Sequence, residues 1–265
     1  MKKLIWMLAA MTVSFTVAAQ YKKDSRRDKK EEKRKRIDAL IKQEEEGVIA
    51  YHKHSVFGLK LNTDGYGAFF EMGRSKSVKK ALLYQLEIGE RKHQKEEKQS
   101  NFAQFSIPII YGKINYFYPV KLGVQQQILL GNKSNKNGVS ITGNVGGGLI
   151  VGLLRPYELQ VDKNNERVWV RYDSPDSLYF INADADQTVS GPSLTTGWKH
   201  TKITPGAYVK PAVRFDYGRM NELVSALEVG LTAEFYAKKI PQMLYLKQKQ
   251  FFFSAYVSIV FGRRK

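Results

Sequence analysis

Four histidines, His52, His54, His93 and His200, and no cysteine are what this 265-residue chain offers for metal binding or nucleophilic chemistry. Without thiols there is no thiolate metal site, no disulfide framework and no thioether lipid anchor. His52 and His54 stand two residues apart and share a strand face, a spacing that could present two imidazoles to one metal ion. A solvent-side pair ahead of the first strand is better read as incidental. Acyl transfer needs a serine, a histidine and a carboxylate to orient the imidazole. His200 with Ser190 or Ser193 and Asp184 or Asp186 supplies those types within one long polar connection, and nothing in the spacing brings them together. Asn182-Ala183-Asp184-Ala185-Asp186 has the alternation of a calcium loop but lacks its glycine at the sixth position and its glutamate at the twelfth, which leaves ordinary turn chemistry. Gly143 to Gly152 is glycine-rich on a strand, not in the strand-to-helix setting of a phosphate loop. No catalytic residue, cofactor or metal is expected.

A second set of chemically capable residues is regular in its placement. Glu87, Lys121, Lys210, Arg214, Glu228 and Glu234 each fall on the polar face of a segment that alternates apolar and polar with period 2. They are expected to pair as ions in an enclosed lumen. Eight such segments must hold them. The first runs through Ser55 to Asn62, with Phe57, Leu59 and Leu61 on one face, and turns at Asn62-Thr63-Asp64-Gly65, a tight-hairpin signal. The others span Tyr66 to Gly73, Lys80 to Gly89, Lys113 to Leu130, Ser140 to Leu154, Gly206 to Tyr217, the Leu223 to Phe235 segment, and Lys249 to Gly262. Pro119 removes a ladder hydrogen bond and predicts a bulge or a strand start. The long connection 155–205 is expected to carry its own hairpin, Tyr157 to Val161 with Arg167 to Tyr172.

Connections two, four and six are compact and three, five and seven are long and polar, with the tight first hairpin as the exception to the parity. That is the plan of an all-β, eight-stranded antiparallel transmembrane barrel whose termini share the short-turn side. A soluble ligand barrel would put its apolar face inside, and the charges argue against it, because unpaired ions in a dry cavity are costly. Tyr66, Tyr84, Tyr116, Phe117, Tyr118, Phe215, Tyr217, Phe235, Tyr236 and Phe261 fall near strand ends and suggest two aromatic girdles.

Ahead of the strands, Lys2 and Lys3, the apolar Leu4 to Val17 and the small Val17-Ala18-Ala19 read as an export signal over 1–19. Residues 20–47 form a charged arm with Ile37, Leu40 and Ile41 at helical spacing, so it is expected to be partly helical and periplasmic. The barrel occupies 48–265. Hydrophobic residues make up 43% of the chain, enough to cover a barrel and too few for a helical membrane bundle. The formal net charge of +18 falls to +16 without Lys2 and Lys3. In an exported membrane protein the counter-charges are lipid and lipopolysaccharide phosphates rather than nucleic acid. Arg91, Lys92, Lys95 and Lys98, in the connection after the third strand, are the candidate lipopolysaccharide contacts.

The terminal Phe251-Phe252-Phe253-Ser254-Ala255-Tyr256-Val257-Ser258-Ile259-Val260-Phe261, with the leader, arm and alternating strands, resembles small outer-membrane barrels of OmpA/OmpX-type architecture, and more narrowly the PorT-like family of Bacteroidota. The resemblance covers Val48 to Lys265 and is one of pattern. It implies residence in the cell outer membrane and reading of the terminal aromatic strand by the barrel assembly machinery, while the activity is not settled by it; the chain is expected to be a monomer with a structural or interaction role and without catalysis. Gly262-Arg263-Arg264-Lys265 follow Phe261, a departure from a strictly terminal aromatic. Two other roles fit the same class: a lipid deacylase or acyltransferase working through the outward loops, and an accessory of a secretion or envelope complex that binds a periplasmic partner through the arm.

Overall fold

In the computed structural model, residues 53–77, 79–99, 107–133, 138–163, 165–181, 188–218 and 222–264 are described. The leader, the charged arm, His52, Asp184 and Asp186 lie outside them. Eight long strands form the frame: β1 (Lys53–Asn62), β2 (Gly65–Ser77), β3 (Lys80–Arg91), β6 (Asn115–Gly131), β7 (Ser140–Pro156), β11 (Lys202–Asp216), β12 (Leu223–Ile240) and β13 (Lys249–Arg264). They close into one antiparallel barrel in the order β1-β13-β12-β11-β7-β6-β3-β2. The closing pair sets His54 opposite Arg264 and Leu61 opposite Val257, so no strand edge is left unpaired around the ring.

The strands alternate between the two faces over most of their length, as their sequences do. Along β1, Phe57, Leu59 and Leu61 are exposed on the outside while Val56 and Lys60 are buried inside. The same division puts Leu122 and Val124 of β6 outside and Lys121 and Gln125 inside. Period 2 thus converts a line of sequence into two surfaces of opposite chemistry.

The strands run longer than the alternation alone marks, because β2 continues as a ribbon to Ser77 and β13 to Arg264. Pro119 makes no bulge. Its register to β3 is the same on both sides, Ile88 opposite Val120 and Arg91 opposite Phe117, with the rungs between them missing. A lost donor therefore appears as a gap in the ladder, while the pairing to β7 runs unbroken through Pro119 and Gly152.

Shorter elements gather at the end that carries the long connections. The 92–114 connection holds β4 (Lys98–Gln99) paired with β5 (Ile109–Ile110). The 157–201 connection holds β8 (Glu158–Lys163) and β9 (Glu166–Arg171), the expected hairpin, with β10 (Thr188–Ser190) added on the other edge of β8 and a short helix α1 (Ser177–Ile181). Asn165 turns the β8–β9 hairpin with a φ of 65°, a left-handed conformation that asparagine tolerates. Tyr157, Leu159, Val161, Val170 and Phe180 pack with Ile110 into a small core of this outer lobe.

Candidate functional site: an ion-filled lumen and a cationic outer rim

The inside of the barrel is occupied by side chains, many of them charged and paired. Five cations, Lys60, Arg91, Lys121, Lys210 and Arg214, are buried there, and Glu71, Glu87, Glu228, Glu234 and the turn residue Asp64 pair with them. Toward the loop end, Arg91 Nε lies 3.0 Å from Asp64 Oδ2 and Arg91 Nη2 lies 3.0 Å from Glu234 Oε1. Lys121 Nζ bridges Glu234 at 2.8 Å and Glu87 at 2.7 Å, and Lys60 Nζ reaches Glu87 at 2.9 Å. Nearer the turn end, Arg214 donates both terminal nitrogens to Glu71, at 2.8 and 2.9 Å, and also contacts Glu228 at 2.6 Å. Bidentate guanidinium–carboxylate geometry is among the stronger forms of this interaction.

The two groups are joined by neutral side chains. Lys210 Nζ donates to Gln85 Oε1 at 2.9 Å and lies 3.3 Å from Glu228, and Gln125 donates to Gln85 as well. Glu228 also accepts from Asn144 at 3.0 Å and from the Tyr256 hydroxyl at 2.8 Å. Lys60 stands 3.9 Å over the Tyr256 ring. Burial of this many ions is tolerable because each of the four glutamates is answered by more than one donor.

Apolar side chains close the space around the ions. Phe117, Tyr236 and Phe252 pack edge to face toward the loop end, with Phe117 and Tyr236 centroids 5.3 Å apart, and Val56, Phe69, Val224, Ala226 and Val260 cluster on another side. Glycines admit these rings: a Cβ on Gly152 would stand 2.7 Å from Phe117, and one on Gly123 would stand 2.3 Å from the Tyr208 hydroxyl. Phe117 and Tyr236, expected in the girdles, therefore point inward. Their parity with Lys121 and Glu234 on the same strands required it.

Glu87, Lys121, Lys210, Arg214, Glu228 and Glu234 lie buried inside the barrel, each in an ion pair. Lys60, Glu71, Gln85 and Tyr256 complete the network. The alternation had put Lys60 and Glu71 on the polar face, and counting that face would have found them. His54 was expected on the solvent side. It is instead buried, with Nε2 3.2 Å from Glu71 Oε1, because β1 begins at Lys53 and its even-numbered residues face inward.

Outside the barrel wall at the loop end, a cavity of about 680 Å³ lies beneath the folded-down 107–110 and 192–195 segments. Tyr66, Tyr116 and Tyr118 form its wall, with Lys92, Lys98, Lys113, Glu90 and Glu96 around it. Arg155 is clamped there, 4.2 Å over the Tyr116 ring and 5.3 Å from Trp198, and donates to the carbonyls of Ser193, Leu194 and Thr196. Burial pushes the Lys113 ammonium below its usual range, against the pull of Glu96 2.6 Å away. Lys92, Lys95 and Lys98 are exposed at this rim, while Arg91 is turned inward and spent on Asp64 and Glu234. Burial raises the Asp64 carboxyl above the ordinary carboxylate range even beside that guanidinium.

The acyl-transfer set does not assemble among the described residues. His200 Nδ1 lies 3.2 Å from Glu158 Oε1. Ser190 accepts from the Ile107 amide, and Ser193 bonds to Thr195 and Thr196. Among the described residues no group of three or more histidines and carboxylates is placed to hold a metal ion.

These features define a closed eight-stranded antiparallel barrel with a filled, ion-paired interior and an apolar exterior. No family model matches the chain, and no curated protein is similar to it in sequence. Among solved structures it is similar to the Neisserial surface protein A, at 8% identity over 81% of this chain and 97% of that one, with a TM-score of 0.38. It is similar also to the N-terminal β-barrel domain of Pseudomonas aeruginosa OprF, at 10% identity over 80% and 98% of the two chains, TM-score 0.35. A third is Ail, the attachment invasion locus protein of Yersinia pestis, solved with the heparin analogue sucrose octasulfate, at 8% identity over 82% and 100%, TM-score 0.38. These likenesses are distant, and the fold stands on the strand pairing of this chain itself.

Proposed function

We propose that the protein is an integral outer-membrane barrel with a structural or interaction role at the cell envelope. The observation that carries this reading is the outer wall. Phe57, Leu59, Phe70, Leu86, Leu122, Leu149, Val209, Leu231 and Phe253 stand exposed on it, on strands that bury their charges on the other face. A contiguous apolar surface of this extent is untenable in water and is what a bilayer requires of a barrel. The filled interior favours an anchor over a channel, since eight strands leave room for side chains and little else.

In this reading residues 1–19 direct export, 20–47 form a periplasmic arm able to bind a partner, and 48–265 insert through the barrel assembly machinery as a monomer. Kinship with the PorT-like family of Bacteroidota is a proposal of the same standing, supported by the terminal aromatic strand. The long connections face outward, and Lys92, Lys95 and Lys98 meet lipopolysaccharide phosphates. Support for that contact comes from their exposure beside the tyrosine-lined cavity, which joins cations to a wall continuous with the apolar band. The experiment is fractionation of cells expressing the full chain, followed by alkaline and urea washes. Retention in the membrane pellet until detergent is added is the expected result, and a monodisperse soluble protein without detergent would overturn the proposal.

A further inference from the structure

The turn end of the barrel carries a second cationic surface, which among the described residues runs over four of the eight strands. Lys53 of β1, Arg74 and Lys76 of β2, Lys80 of β3 and Arg263 of β13 are exposed there, with Lys79 in the turn between β2 and β3. Those four strands are consecutive around the ring. Lys53 is directly opposite Arg74, and Arg263 is opposite Ser55 of the same neighbouring strand. Across the ring, the described residues exposed at the matching ends of β6, β7, β11 and β12 include Leu130, Val139, Tyr217 and Leu223.

Parity settles where these cations point. Lys53 shares its face with Phe57, Arg74 with Phe70 and Met72, Lys80 with Leu86, and Arg263 with Phe261, while Lys76 is exposed at an irregularity in the β2–β3 pairing. They project outward from the wall, just past its apolar band. Neighbouring cations that serve the fold behave differently: Lys133 and Arg264 converge on Asp216. No ion pair joins Lys53, Arg74, Lys76, Lys80 or Arg263 to a carboxylate among the described residues, and the exposed Glu222 pairs with none of them.

We propose that this half-collar binds the head groups of anionic phospholipids. The inference rests on the membrane reading above and adds to it a partner and a side. Long basic side chains that extend from an apolar wall lay their stems along hydrocarbon and place their charges at head-group depth. Mobile phosphodiesters are counter-ions that need no fixed geometry, which suits cations staggered in height over four strands. A protein partner would have to occupy the same belt of wall as the lipid tails.

The test uses the mature chain folded into nanodiscs made from equimolar phosphatidylcholine and phosphatidylglycerol, with retained lipid quantified by mass spectrometry after mild extraction. Phosphatidylglycerol should be enriched about fivefold over phosphatidylcholine, on the scale of a Lys or Arg near a charged surface. The enrichment should fall in high salt. The K53Q/R74Q/K76Q/K80Q/R263Q variant should lose most of the enrichment, and the smaller K53Q/R74Q variant should fall between. Parity in the unaltered protein, or undiminished enrichment in the five-site variant, would overturn the proposal. Failure of the membrane reading would show separately, as an inability of the unaltered chain to insert into pure phosphatidylcholine.

Discussion

Two faces of one strand show what organises this molecule. On β12, Leu227, Val229 and Leu231 are exposed to the outside, while Glu228, Thr232 and Glu234, interleaved with them, are fully buried. Water-soluble proteins sort the two kinds of residue the opposite way. The difference teaches that the two faces are held by unlike physics: the interior by a closed set of ion pairs and hydrogen bonds, the exterior by nothing inside the protein at all. A slip of one residue would exchange the two sets completely, which fixes the register of each strand.

The comparison breaks most sharply on the inside. Replacing Glu228 with alanine takes one of two carboxylates from Arg214, which keeps Glu71, and leaves Lys210 buried without an ion-pair partner among the described residues. The expected loss is about 3–5 kcal/mol, the scale for an uncompensated buried charge, measured by reversible urea unfolding in phosphocholine vesicles. Unfolding midpoints within experimental scatter of the unaltered protein would show that the lumen is wet and the pairing loose. On the outside, Leu122→Arg places a cation where a lipid tail should be. In the same vesicles it should cost about 2–4 kcal/mol, against about 0.5 kcal/mol for an ordinary exposed site in water.

A smaller effect sharpens the contrast between the barrel and its outer lobe. Burial opposes ionisation of Asp173, but Lys202 at 2.8 Å and Arg171 at 2.7 Å outweigh it and hold the carboxyl below its ordinary range. A lowered carboxyl stabilises the fold above the unfolded pKa of about 3.9 and loses that contribution as pH falls through and below it. Partial exposure limits the effect to a fraction of about 1 kcal/mol. Acidification should therefore loosen the lobe modestly, read by fluorescence of Trp169 and Trp198, and Asp173→Asn should flatten that dependence in the acid range.

Much of this was legible in the sequence, because a barrel strand is a local pattern. Alternation located all eight strands, separated Phe57 from Lys60 and Leu122 from Lys121, and identified the hairpin at Thr63-Asp64. Inside and outside positions of Glu87, Lys210 and Glu228 followed from period 2 alone. Partner choice did not, since Lys60 meets Glu87 and Arg214 meets Glu71 across the lumen, between strands far apart in sequence. Arg91 misled because it ends β3 beside a basic loop, and only the closure of the barrel reveals the inward pull of Asp64 and Glu234. Phe117 and Tyr236 misled for another reason: aromatic type was weighed where parity should have decided. The half-collar at the turn end was out of reach, because adjacency of β13 to β1 is a property of the closed ring.

The central claim is that the outer wall touches hydrocarbon, and one measurement addresses it directly. With Trp169 and Trp198 replaced by phenylalanine, a single tryptophan is introduced at Leu122 and the folded protein is placed in vesicles whose acyl chains carry bromine. Strong quenching at position 122, with little at a protein retaining only Trp169 in the outer lobe, is the predicted result. An unquenched tryptophan at 122 in a folded barrel would contradict the account.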